Sequence, residues 1–163
     1  MKTLSTAAVC ALLLVPIASP SEADDRANDS VRWATIIGIE QAGNKVDGIT
    51  GGGQPWSTRG GEVHVKLIDG TVEFEVRGLV FAGGNAIGTP DAVTQVKGTL
   101  VCGPGSATPV VIDTPLVPLS PQGNAQFEGS FSSSTASCSA TDVAFLVRTA
   151  GGAWIANGAV RVP

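Results

Sequence analysis

Tyrosine is absent from this 163-residue chain, histidine and methionine occur once each, and cysteine occurs three times. One imidazole and three thiols leave most zinc sites and histidine-based active sites short of raw material. Charged residues make up only 15%, with a formal net charge of -4. That balance excludes nucleic acid as a partner, since phosphate contacts need a surplus of Lys and Arg. The acidic residues are also too scattered to form a calcium loop. What is plentiful is glycine, 21 residues, and proline, 10, against an apolar fraction of 43% that suffices for a packed core. Nothing in this inventory goes beyond an exported, glycine-rich, all-β domain.

The first 23 residues read as a signal peptide. Lys2 supplies the positive start, Ala7 to Ile17 is an apolar run broken only by Pro16, and Ser21-Glu22-Ala23 offers small residues at the cleavage positions. The run is shorter than the ~20 apolar residues of a membrane span. Cleavage after Ala23 is expected, with no membrane span left behind and residence outside the cell, in the periplasm or at the cell surface. It also removes Cys10, leaving Cys102 and Cys138, and an even count in an exported chain points to a disulfide. Residues 24–30 form an acidic, polar tail that includes the sequon Asn28-Asp29-Ser30, and 31–163 is read as one domain.

Strand signals dominate that domain, and no window shows helical periodicity over ten residues. Val31 to Ile39 is rich in β-branched residues. Glu62 to Ile68 and Thr71 to Arg77 alternate polar and apolar around Asp69-Gly70, which predicts a hairpin with a two-residue type I′ turn. In that register Leu67 pairs with Val72, Val65 with Phe74 and Val63 with Val76. On the other face Lys66 meets Glu73, His64 meets Glu75 and Glu62 meets Arg77, so every outward pair is charge-complementary once His64 is protonated. Further strands are expected at Val93 to Cys102, Val110 to Asp113, Leu116 to Leu119, Ala125 to Phe131, Val143 to Arg148 and Ala153 to Val162. The prolines around the second and third of these suggest a sheet edge. About eight strands with frequent turns imply an antiparallel β-sandwich, Ig-like in architecture, with a small barrel as the alternative.

Four stretches carry a family likeness: Trp33-Ala34-Thr35, Gly61-Glu62-Val63-His64-Val65-Lys66-Leu67, Val72 to Leu79, and Gly152-Ala153-Trp154-Ile155-Ala156-Asn157-Gly158. Their order resembles the CHRD-type domain, named from chordin and also found in exported bacterial proteins. The family's Glu-Val-Pro-Pro segment, its terminal His-Thr and its Gly-Glu-Ile-Arg-Gly pattern are missing, so no functional residue carries over. The resemblance implies a non-catalytic extracellular β-sandwich.

Two glycine-rich loops, Gln41 to Gly60 and Ala82 to Ala92, are long enough to be functional. Gly51-Gly52-Gly53 lacks the Gly-Lys-Ser/Thr ending and the following helix of a phosphate loop. Trp56, beside Pro55, is either a platform for stacking a sugar ring or a plug over an open end of the fold. Arg59 and Asn85 are the candidate polar contacts beside it. Trp33 and Trp154 lie on strands and read as core or half-buried. His64 sits on a polar sheet face with no nucleophile elbow in the sequence, and Glu73 and Glu75 share that open face rather than a cleft. Asp113 and Asp142 lie near strand ends with nothing to bring them together. The expectation is a module without catalysis, cofactor or metal. It would present its two loops to a partner protein or envelope component, or, in the alternative, bind a polysaccharide through Trp56. A hydrolase ranks third, because a fold does not exclude a function.

Overall fold

The structure, a computed structural model, describes residues 29–162; the expected leader, its expected cleavage site and residues 24–28 of the tail lie outside the described residues. The strands in chain order are β1 (Ser30–Gly38), β2 (Lys45–Val46), β3 (Ile49–Thr50), β4 (Trp56–Ser57), β5 (Gly60–Lys66), β6 (Thr71–Arg77) and β7 (Val80–Phe81). They continue as β8 (Gln95–Cys102), β9 (Val110–Asp113), β10 (Val117–Pro118), β11 (Ala125–Ser130), β12 (Val143–Thr149) and β13 (Trp154–Val162). The protein is all-β. Its main sheet is antiparallel with order β10-β8-β12-β13-β1-β5-β6-β11, and β9 joins the outer edge of β8 beside β10.

The sheet is forced to curl. Six residues, 119–124, connect β10 at one end of the strand order to β11 at the other. Laid flat, eight strands at their usual spacing would separate those ends by about 34 Å, whereas the connection reaches about 25 Å fully extended. The chain solves this as a half-barrel. Ser132 donates from its backbone N–H and its hydroxyl to the carbonyl of Asp113, at 2.9 and 2.7 Å, which ties the end of β11 to β9. Between that tie and the 119–124 turn the ladder is interrupted. Leu119 N–H points to Thr94 on the β8 side, so neighbouring Pro118 faces the gap and has no N–H to give. The expected edge at 110–113 and 116–119 is therefore where the sheet stops.

Curling brings strands distant in the order into contact over one core. The Phe145 ring of β12 lies 5.6 Å from Phe74 of β6 and 5.9 Å from Trp33 of β1. Gly98 on β8 faces both phenylalanines; a Cβ there would stand 2.8 Å from Phe145 and 3.0 Å from Phe74. Alternate residues of β5 and β6 fill the same interior: Val63, Val65, Val72, Phe74 and Val76 are all buried, each apolar side chain contributing roughly 1.5–3 kcal/mol. Trp33 and Trp154 are core residues, as expected. Cys102 and Cys138 form the disulfide, with Cα atoms 5.2 Å apart, and so tie the loop that follows β11 to the end of β8.

The β5–β6 hairpin keeps its faces but not its register. His64 lies opposite Glu73, Val63 opposite Phe74, and Glu62 opposite Glu75, a slip of two residues from the pairs expected around Asp69-Gly70. The turn has four residues, 67–70, because the backbone of Leu67 is engaged outside the hairpin. Its N–H donates to Asp29 at 2.7 Å, and its carbonyl accepts from the Thr135 hydroxyl. Asp69 accepts from the N–H and the hydroxyl of Thr71 at 2.9 and 2.7 Å, and only Gly70 takes a left-handed φ, +69°.

Structure also appears inside the loop 41–60, where none was expected. β2 and β3 pair across Asp47-Gly48, whose φ values of +48° and +78° match the type I′ turn. Val46 and Ile49 pack against the core. The hairpin is held at Asn44, whose carbonyl accepts from the Trp154 indole at 3.0 Å, and at Asp47, which accepts from Gly105 N–H at 2.6 Å.

Candidate functional site

The two glycine-rich loops meet. β4 and β7 form a two-stranded ladder with Trp56 opposite Phe81, and the ladder is extended by Ala82 N–H donating to Pro55 at 2.9 Å. Trp56 N–H donates to Ile39, and the Thr58 hydroxyl to Ile36, which fixes this small sheet against the end of β1. The approach is close enough to require glycine at 38, where a Cβ would fall 2.1 Å from the Trp56 carbonyl oxygen. The Trp56 ring packs on Phe81, centroids 4.2 Å apart, and is only 3% exposed. A stacking platform needs an open ring face, which the buried Trp56 ring does not offer in this structure.

Beyond this brace the second loop is compact. Phe81 N–H donates to Thr89, Gly88 N–H to Phe81, and Thr89 donates to Ala86 from both its N–H and its hydroxyl. Asn85 is exposed in this loop, beside Gly84, which lies against the Gln54 side chain of the first loop. Ile87, which no motif or spacing singles out, is 63% exposed. Arg59 is exposed as well, but its side chain lies over Gly78 at the end of β6, and its N–H donates to Arg77. Of the three candidate residues, Asn85 belongs to the lobe surface, Trp56 to its interior, and Arg59 to its flank.

The outer face of β5, β6 and β11 collects the remaining candidates. His64 is exposed, with Glu73 opposite on β6 and Arg32 opposite on β1. A groove of about 310 Å³ runs past His64, Lys66, Glu73, Glu128 and Ser130. The slipped register of β5 and β6 sets Glu62 beside Glu75, and the β6–β11 pairing sets Glu73 beside Glu128, like charge against like in both cases. Ion pairs form elsewhere: Arg32 with Glu62 at 2.9 Å and Arg77 with Glu75 at 3.2 Å, all half-exposed. Such exposed pairs contribute about 0–1 kcal/mol. Among the described residues, no three His, Cys, Asp or Glu side chains converge in the manner of metal ligands. No helix among them is long and apolar enough to cross a membrane.

A second polar cluster escaped the sequence reading. Asp113 accepts from Lys97, from Thr99 at 2.7 Å and from Arg148 at 3.3 Å, across β8, β9 and β12. Burial alone would raise its pKa, but the hydrogen bonds from Lys97 and Thr99 and the two cationic charges hold it below the usual carboxylate range. Every member faces another, which describes a structural tie across three strands. Asp142 is not part of it; its carbonyl accepts from Gly103 N–H at 2.9 Å. The signal was present as Lys97 and Thr99 two apart on one strand, but the bonds that Asp113 receives span 14 to 35 residues of chain, a juxtaposition visible only once the sheet is assembled.

Compared with protein-family models, with characterised proteins and with solved structures, the chain matches none.

Proposed function

We propose that the chain is an exported β module that works by binding and not by catalysis, presenting the lobe built from its two glycine-rich loops to a partner protein or envelope component. One observation carries this reading: β4 and β7, with Trp56 buried on Phe81, brace the two loops into a single unit that leaves Asn85 and Ile87 at the surface. Loops held in place before binding lose less conformational freedom on contact, which favours affinity. The leader and the paired cysteines support export, and the likeness of four strands to CHRD-type domains leans the same way.

The test places a photo-reactive residue at position 87 in the full chain expressed in its own cells. A control carries it at Ile68, which is 75% exposed in the β5–β6 turn. The expected result is a discrete adduct from position 87 and none from position 68. No adduct from position 87, or the same adduct from both sites, overturns the proposal.

A further inference from the structure

We draw no further inference here: the strongest candidate, the cavity of about 470 Å³ at the seam between β10 and β11, has rim groups already bonded within the chain (Asn124 to Gly78, Ser120 to Asn124, Glu75 to Arg77), and nothing in the structure shows what covers its apolar wall of Val76, Pro118 and Ala125.

Discussion

Two Asp-Gly dipeptides in this chain fold in opposite ways. At Asp47-Gly48 both residues are left-handed, the turn has two residues, and the aspartate reaches across to Gly105. At Asp69-Gly70 only the glycine is left-handed, and the aspartate folds back on Thr71 within a four-residue turn. The dipeptide is the same; the next residue is not. Thr71 offers Asp69 a hydroxyl and an N–H together, whereas Ile49 offers Asp47 no hydroxyl. Asx-type hydrogen bonding then competes with the type I′ geometry and wins. The second difference is tertiary, since Leu67 is held by Asp29 and Thr135 from outside its own hairpin.

The strongest way to break this contrast is to remove the Cys102–Cys138 bridge. Thr135, which holds Leu67, lies in the loop that the bridge closes. In the chain-entropy picture, a loop of this size contributes roughly 4 kcal/mol. Replacing both cysteines with alanine should lower unfolding stability by about 2–4 kcal/mol, read in urea titrations. Amide exchange should then accelerate at 67–71 and stay slow at 46–49. Equal acceleration at both turns would show that the bridge does not act through Thr135.

Next in size is a test of register. Gly61 pairs with Val76, and a Cβ at 61 would fall 2.2 Å from the carbonyl oxygen of Glu75. In the register first expected from Asp69-Gly70, position 61 would instead face Gly78. Gly61→Ala should therefore destabilise by about 1–3 kcal/mol, the range for overpacking. A neutral result, with the Gly61–Val76 backbone contacts missing from NMR spectra, would return the hairpin to the two-residue turn.

Two glycine substitutions then compare the turns directly. Gly48 has φ +78° with nothing within 4 Å of a new Cβ; Gly70 has φ +69° with the Thr135 hydroxyl 3.4 Å away. Alanine at either position faces the left-handed penalty of about 1–2 kcal/mol. Thermal unfolding should give similar losses for Gly48→Ala and Gly70→Ala, because both glycines are left-handed although the turns differ. A loss at one site alone would mean that the other turn had rearranged.

How much of this was legible depends on the range of the interactions that decide it. The alternation in 62–68 and 71–77 correctly assigned every inward residue from Val63 to Val76, because a slip of two preserves the faces. The slip itself was only half legible, since Thr71 beside Asp69-Gly70 is a local signal whereas Asp29 and Thr135 lie far from Leu67 in the chain. The Asp47-Gly48 hairpin was readable by the rule applied at Asp69-Gly70, but the strands around it are two residues each and too short to show alternation. At the candidate site, the burial of Trp56 required knowing that Phe81 would pair with it. The disulfide followed from a count of cysteines together with the expectation of a cleaved leader carrying Cys10.

The smallest expected effect concerns the Asp69 carboxylate alone. Hydrogen bonds from the Thr71 side chain and backbone hold its pKa below the ordinary value of 3.8. A folded-state pKa depressed below the unfolded one contributes stability that is present above the unfolded value and lost as pH falls through the folded value. Titration of the Asp69 side-chain carbonyl carbon by NMR should show a midpoint below that of a free aspartate, and Thr71→Val should move it upward. The acid limb of stability should be slightly shallower in Asp69→Asn than in the parent. Asp113, also held low but partly buried among Lys97, Thr99 and Arg148, should account for more of that limb. If Thr71→Val leaves the Asp69 midpoint in place, the clasp on Thr71 does not govern this carboxylate, and the four-residue turn must rest on Leu67 and its outside partners.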